Sequence, residues 1–228
     1  MLFLLPGALE LAGEQLPASY VYAVATAVDH RGQGLAAELT RQSAKQAQQD
    51  GQAALCLLPA DAGLYEYYGK LGFRTAFARQ ARSFARETAE IPYLKTNLVW
   101  DAAQVQLQRA QRWGAQGFFA WGAPMLEYMR QEQRFTGGRV RCAEGGYVFY
   151  SVENRLLTAE ECCAAPEVTE WLLQKSLSIS GCSRGEAYFA AASPISAEPG
   201  GMLLPLDDRA ERFLAATQGR AYLGLTLE

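Results

Sequence analysis

The sequence predicts a mixed α/β fold of the α+β kind, and three observations support that prediction. A strand–turn–helix–strand unit runs from Tyr20 to Leu58, two helical segments occupy the middle of the chain, and short strands follow Gly138. Strands and helices thus occur both alternately and in blocks, which is expected of a sheet with helices packed on it. With 228 residues the chain is long enough for one or two domains.

The first quarter of the chain contains the clearest unit. Residues 1–11 read as a strand or strand pair broken at Pro6-Gly7, and Gly13 to Pro17 as the next turn. The β-branched and aromatic run Tyr20–Val28 predicts a strand, and the two-glycine turn after it leads into a helix over residues 37–50. Gly51 marks the end of that helix, and the apolar run 53–58 predicts a second strand.

The turn between strand and helix can hold an anion. Gly32 and Gly34 let the backbone approach a ligand closely, and the first N–H groups of the helix, with its dipole and Arg31, favour a phosphate. A nucleotide-binding P-loop is excluded because no Lys-Ser/Thr follows the turn. A dinucleotide fingerprint is excluded because Ala37 replaces its third glycine and the second strand ends in Leu57-Leu58-Pro59 instead of an acid. An ordinary strand-to-helix connection stays an open alternative.

The remaining elements follow from local patterns. Alternation over residues 74–84 predicts a strand, residues 86–96 a linker, and residues 101–113 and 123–135 two helices, the first capped by Asp101. Beyond Gly138 the chain predicts three strands, a helix and three more strands. These are residues 139–143, 147–152 and 155–161 with turns at Gly145-Gly146 and Glu153-Asn154, then the helix 166–177, then strands 187–192, 201–206 and 221–227.

Composition and charge argue against several classes of binding partner. The net charge is −3 and no Lys/Arg-rich run occurs, which argues against nucleic acid, and no apolar run is long enough to cross a membrane. An odd number of cysteines without a tight spacing predicts reduced thiols in a cytoplasm, and a single histidine argues against a zinc site. The cysteines are Cys56, Cys142, Cys162, Cys163 and Cys182.

Two motifs in the first 85 residues resemble those of the Gcn5-related N-acetyltransferase (GNAT) family. The acetyl-CoA motif Arg/Gln-x-x-Gly-x-Gly/Ala is met by Arg31 to Ala36, and the Tyr-x-x-x-Gly-Phe element by Tyr68 to Phe73. They stand in the family's order, separated by one helix and one strand, and the approach to Tyr68 is most similar to the multidomain Eis-like branch. The resemblance implies an N-terminal GNAT domain over residues 1–85 and, by architecture alone, a second, degenerate GNAT-like domain over residues 97–228.

The resemblance also implies a reaction and its residues. Acetyl-CoA is the expected co-substrate and a primary amine of a small molecule or peptide the acceptor. The pyrophosphate would bind the turn, the pantetheine arm would pair with the main chain just before it, and Tyr68 would be the general acid that protonates the leaving thiolate. The residues expected to bind acetyl-CoA are Ala25, Thr26, Arg31, Gly32, Gln33, Gly34, Leu35 and Ala36.

Other side chains near these motifs have competing interpretations. A packed aromatic residue is the alternative for Tyr68, while Tyr65 and Tyr67 are assigned to packing and His30 to the surface. Asp61 either contacts the pantetheine or caps the helix that follows it. Eis-like enzymes use their C-terminal carboxylate as a base, and Glu228 is the corresponding hypothesis here, against a frayed surface terminus.

The start of the chain departs from the family. A complete GNAT domain has a strand, two helices and further strands before its acetyl-CoA motif, but only about 20 residues precede the motif strand here. We therefore expect an uncovered sheet edge, which favours a homodimer or replacement helices from elsewhere. Two alternatives to an enzyme remain: a non-catalytic acyl-CoA-binding or regulatory module, and a structural dimerisation protein with an empty turn.

Overall fold

The computed structural model describes residues 1–87, 99–135, 137–191 and 197–227. In these residues the chain forms one ten-stranded sheet and six α-helices, which confirms the predicted mixed α/β class. The strands are β1 (Phe3–Leu11), β2 (Glu14–Tyr22), β3 (Ala54–Leu57), β4 (Arg74–Ala85), β5 (Phe118–Trp121), β6 (Arg139–Ala143), β7 (Gly146–Glu153), β8 (Leu156–Ala164), β9 (Arg184–Ala190) and β10 (Glu198–Pro205). The helices are α1 (Leu35–Gln49), α2 (Ala62–Gly69), α3 (Ala102–Trp113), α4 (Ala123–Phe135), α5 (Pro166–Ser180) and α6 (Asp208–Thr217).

The sheet has the strand order β5-β1-β2-β3-β10-β4-β9-β8-β7-β6. The predicted βαβ unit is confirmed, because β2 and β3 pair in parallel from Ala18–Ala54 to Tyr20–Cys56 with α1 between them. Strands from the second half of the chain enter the first half of the sheet: β10 lies between β3 and β4, and β5 pairs with β1. The division into domains at a linker over residues 86–96 stays a prediction, because most of that linker lies outside the described residues.

Local capping explains where the helices begin. The Asp61 carboxylate accepts a hydrogen bond from the Leu64 N–H at 3.0 Å and starts α2, which supports the capping interpretation of this residue. Asp101 and Asp207 cap α3 and α6 in the same way. At the other end of α1, Gly51 has φ +78°, the left-handed conformation that ends many helices.

The N-terminal strand is continuous, so the predicted break at Pro6-Gly7 is wrong. Both residues stay in register with β2, and a Cβ on Gly7 would lie 2.4 Å from the Phe119 ring, so the glycine admits the aromatic side chain of β5. The next turn is Ala12-Gly13, and Pro17 lies inside β2 instead of the predicted turn. Because β5 pairs with Gly7–Glu10, part of the β1 edge that we expected to be open is covered.

Several strand limits also differ from the prediction. β2 ends at Tyr22 instead of Val28, since Ala23 adopts φ +53° and turns the chain out of the sheet. The two hairpin turns after β6 and β7 each lie one residue away from the predicted pairs, and the second has positive φ at both Asn154 and Arg155. β5 and α6 were missed altogether, although Asp207 and the spacing of Ala210, Phe213 and Leu214 are typical of a helix start.

The predicted strand 221–227 is wrong, and the reason is tertiary. Only two isolated bridges form here, one between Ala221 and Phe77 of β4 and one between Tyr222 and Phe118 of β5. These strands stand at the first and sixth places of the sheet, so the segment joins two distant strands instead of extending one. The strands from β5 to β4 therefore curve around the aromatic side chains of the core, which include Phe77, Phe118 and Tyr222.

A buried ion pair fixes this C-terminal segment. Arg109 of α3 donates to Glu161 of β8 at 2.5 Å, and both side chains are at most 1% exposed. The Glu161 carboxylate also accepts from the Tyr147 hydroxyl at 2.6 Å and the Leu225 N–H at 3.0 Å. Burial lowers the pKa of Arg109, but the charge of Glu161 more than reverses this effect, and the guanidinium stays charged.

Substituting Glu161→Gln should lower the free energy of unfolding by about 3–5 kcal/mol, because it leaves the Arg109 charge buried without a counterion. Urea denaturation of the purified chain measures the change. Glu170→Gln is the matched control, since it removes one carboxylate from an exposed pair with Arg82 at 3.0 Å and should cost about 1 kcal/mol or less. Equal losses in the two variants would contradict a structural role for the buried pair.

Candidate functional site

The glycine turn predicted to hold phosphate lies directly before α1. Gly32 and Gly34 have φ +75° and +74°, and Gly34 is the N-cap of the helix, with no side chain capping the first turn. A Cβ on either glycine would meet no atom within 4 Å. The left-handed backbone therefore requires glycine here, and the space in front of the first helical N–H groups is open.

The turn follows the point where the two parallel strands separate. The pairing of β2 with β3 stops at Tyr20–Cys56, although β2 continues to Tyr22 and β3 to Leu57. The carboxyl ends of parallel strands are where open α/β sheets bind their ligands. The turn of Arg31 to Ala36 follows β2 along the chain, after the gap between the two strands has opened.

The main chain just before the turn already has partners. The Ala25 N–H donates to the Met1 carbonyl at 3.0 Å, and the Met1 ammonium donates to the Ala25 carbonyl at 2.6 Å. The Thr26 carbonyl accepts from Arg31 Nε at 3.2 Å. A pantetheine arm paired with Ala25, as predicted, would have to replace Met1. His30 is exposed, as its assignment to the surface expects.

Tyr68 packs near the ends of the two strands. The residue is 8% exposed, its ring meets Phe73 edge-on at 5.4 Å, and it belongs to one cluster with Val21 from the end of β2 and Leu57 from the end of β3. Burial, with a smaller contribution from Tyr67, raises the pKa of Tyr68. The phenol is therefore protonated at neutral pH and remains able to donate a proton.

Tyr65, assigned to packing from the sequence, also lies near a functional surface. Burial raises the pKa of Tyr65, while the Arg79 charge and a hydrogen bond with the Gly201 main chain lower it. These contacts place its phenol close to Arg79, which lines a cavity of about 590 Å³. The pattern of tyrosines in α2 could not show which ring lies near this arginine.

A cavity of about 590 Å³ opens beside the end of β3, and we call it the acidic cavity. Its walls come from separate parts of the chain, among them Leu58, Arg79, Glu132 and Glu160, with the segment Tyr222–Leu227 on one side. Burial raises the pKa of Glu132, and burial together with the nearby Glu132 charge raises the pKa of Tyr22 at the end of β2. The cavity therefore lies near the ends of β2 and β3.

The described lining of the acidic cavity carries a net negative charge. Glu132, Glu153 and Glu160 contribute carboxylates, whereas Arg79 is paired with Glu198 at 2.9 Å and lies over the Tyr188 ring. Thr226 and Leu227 reach the cavity, but the proposed base Glu228 lies outside the described residues. Sequence reasoning missed these carboxylates, since nothing in their spacing shows that α4, β7 and β8 share a cavity.

Two structural features bear on other classes of site. Within the ranges that the structure describes, no group of three His, Cys, Asp or Glu side chains could hold a metal ion. The described helices are all too short or too polar to cross a membrane.

Comparisons with known proteins match the first part of the chain to a family model and the fold to solved structures. Residues 1–76 match the model of the acetyltransferase (GNAT) domain. No curated protein matches the chain. Solved structures with a similar fold include a GCN5-related N-acetyltransferase from Kribbella flavida, which has a TM-score of 0.64 and 20% identity, with 90% of this chain and 57% of that chain covered.

Two further structures extend the likeness in fold. A GCN5-related N-acetyltransferase from Anabaena variabilis has a TM-score of 0.66 and 15% identity, covering 90% of this chain and 59% of that one. Eis1 from Mycobacterium abscessus has a TM-score of 0.64 and 14% identity, covering 94% of this chain and 63% of that one. The chain thus spans less than two thirds of the length of each of these proteins. Residues 1–76 thus match the GNAT domain model, and the fold of the chain is that of the GNAT acetyltransferases.

Proposed function

We propose that the chain is an acetyl-CoA-dependent N-acetyltransferase whose acceptor is a protonated primary amine bound in the acidic cavity. The observation that carries the proposal is the glycine turn before α1, which lies inside the stretch matched by the GNAT domain and follows the strand β2 after it separates from β3. Tyr68 packs with Val21 and Leu57 from the ends of these strands, and Leu58, directly after β3, lines the acidic cavity.

The turn suits the phosphates of acetyl-CoA. The open space before Gly34 gives the first N–H groups of α1 access to an anion, and the positive end of the helix dipole favours one. Arg31 is exposed next to these groups, and the bond that its guanidinium makes to the described residues runs from Nε to the Thr26 carbonyl at 3.2 Å. The remaining nitrogens of its guanidinium can therefore turn towards a phosphate.

The side chains around the gap suit acyl transfer. Acetyl-CoA, when bound, supplies an acetyl group that is activated as a thioester. Tyr68 then serves as the general acid for the departing sulfur, since its buried phenol keeps its proton. Main-chain N–H groups at the end of β2 are the candidates to stabilise the oxyanion.

The acidic cavity suits the acceptor. A protonated amine is attracted by Glu132, Glu153 and Glu160, and its apolar remainder can pack on Leu58, Met129 and Leu225. The raised pKa of Glu132 makes its carboxylate a better proton acceptor than an exposed one. This group is our candidate for taking the proton from the amine before attack.

Acetyl-CoA should bind the purified chain, and Gly34→Val should weaken the affinity at least tenfold by filling the phosphate space. Gly51→Val is the matched control, since Gly51 ends the same helix with φ +78° and equally open surroundings. Both variants carry similar backbone strain, of about 1–2 kcal/mol, so only a ligand effect can separate their affinities. Calorimetric titration measures them. If the unaltered chain does not bind acetyl-CoA, the proposed function is wrong.

Tyr68→Phe should lower kcat about 100-fold while the affinity for acetyl-CoA stays unchanged, because it removes only the proton donor. Steady-state kinetics with the best substrate from a panel of primary amines provides the measurement. Tyr67→Phe is the control, as its ring lies against Tyr68 at 5.1 Å but has no assigned role. If Tyr65→Phe causes the loss instead, the acid is Tyr65. A chain that binds acetyl-CoA and acetylates no amine is the acyl-CoA-binding module.

Glu132→Gln should raise KM for the amine several-fold and shift the pH dependence of the reaction, since it removes one charge that attracts the ammonium group and accepts its proton. Glu144→Gln, at an exposed hairpin turn outside the cavity, should leave both quantities unaltered. Kinetics between pH 6 and 9 test the pair of variants. An unchanged KM and pH profile in Glu132→Gln would place the acceptor elsewhere.

A further inference from the structure

Three aromatic side chains from three separate elements lie close together near the acidic cavity. Phe3, at the start of β1, and Tyr22, at the end of β2, are opposite each other in the antiparallel register, with ring centroids 6.5 Å apart. The third is Tyr128 of α4. Phe3 is 50% exposed and Tyr128 is 49% exposed, so a large part of each ring faces open space. We call these three residues the aromatic rim.

The aromatic rim adjoins a carboxylate of the acidic cavity. Burial raises the pKa of Tyr22, and the charges of Glu132 and then of Tyr128 raise it further. Such effects weaken with distance, so both side chains lie near the Tyr22 phenol. Tyr128 and Glu132 are four residues apart in α4 and therefore occupy the same face of the helix, one turn apart. Because Glu132 also lines the acidic cavity, the aromatic rim and the cavity meet at this carboxylate.

The packing of the core places the aromatic rim and the cavity on the same side of the sheet. Residues two apart in a strand share a face, so Tyr22 points to the same side as Tyr20. Tyr20 meets Trp121 edge-on at 5.5 Å, in the core cluster that also contains Met129 of α4. Met129 lines the acidic cavity. A molecule bound in the cavity can therefore reach the aromatic rim without crossing the sheet.

Ordinary surface exposure does not account for this group of rings. Single exposed apolar side chains are common in folded proteins, and this chain has such residues in Leu107 of α3 and Ile179 of α5, each 58% exposed. The aromatic rim differs because its rings adjoin one another, a carboxylate and a cavity. Sites for small molecules have this composition, with aromatic side chains around a few charged groups.

We propose that the aromatic rim binds an aryl group of the acceptor, which is then a primary amine with an aromatic ring close to its ammonium group. The inference rests on the proposed function, in which Glu132 attracts that ammonium group. Residues one turn apart on a helix are about 5–6 Å from each other, so a short linker suffices to reach from Glu132 to Tyr128. Aromatic rings attract one another in edge-on and offset arrangements, which favours an aryl group over an alkyl group here.

The test compares 2-phenylethylamine with butylamine, which carry the same charge but differ in the ring. The ratio of their kcat/KM values, measured with acetyl-CoA, should favour 2-phenylethylamine at least tenfold in the unaltered chain. Tyr128→Ala and Phe3→Ala should each lower this ratio at least fivefold, whereas Tyr128→Phe keeps the ring and should keep the ratio. Ile179→Ala is the matched control, since it removes an exposed apolar side chain of α5 and should leave the ratio unaltered.

Three outcomes would overturn the inference. The first is a ratio near one in the unaltered chain, which leaves the proposed acetyl transfer in place. The second is an equal fall of the ratio in Ile179→Ala. The third is a dimer in sedimentation velocity that Tyr128→Ala converts to a monomer, because the aromatic rim is then a contact between two copies of the chain.

A binding measurement separates this inference from the proposed function. If the chain acetylates neither amine, both are titrated calorimetrically into the chain without acetyl-CoA. Tighter binding of 2-phenylethylamine that is lost in Tyr128→Ala and kept in Tyr128→Phe would support the aryl site although the proposed reaction had failed. Equal affinities for the two amines would overturn the aryl site as well.

Discussion

The curled half of the sheet depends on the buried pair of Arg109 and Glu161. Burying a charge is costly unless it is paired and hydrogen-bonded, and Glu161 accepts bonds from Arg109 and from two other segments of the chain. Arg109 also donates to the Phe119 carbonyl at 3.0 Å, which ties β5 to the same centre. One ion pair thus holds together α3, β5, β7, β8 and the C-terminal segment.

The position of that segment decides the shape of the proposed acceptor site. The Leu225 N–H is bound by Glu161, and its carbonyl accepts from Trp121 Nε1 at 2.9 Å, so the chain on both sides of it is held. Thr226 and Leu227 then continue along the wall of the acidic cavity. A site built this way joins the two halves of the sequence, and a fragment ending after β4 would lack most of its walls.

The sequence was informative where neighbouring residues determine the structure. The limits of α4 and the start of α3 followed from Pro124 and Asp101, and the glycine turn followed from a motif of six residues. It was uninformative where contacts between segments distant in the sequence determine the structure. Nothing in residues 221–227 showed that they bridge β4 and β5, and nothing in the spacing of Glu132 and Glu160 showed a common cavity. The roles of Tyr68 and of the turn remain predictions.

The rotation of helix α4 determines which charges it contributes to the acidic cavity. Met129, Glu132 and Gln133 line the cavity, whereas Arg130 and Arg134 of the same helix point away from it. Successive residues of a helix differ by about 100° in direction, so a shift of one residue would bring arginine into the acidic cavity. Leu126 is fully buried, and Met129 is 2% exposed, because both pack into the core. This packing fixes the rotation of α4, so the negative charge that the helix contributes to the acidic cavity follows from the core beneath it.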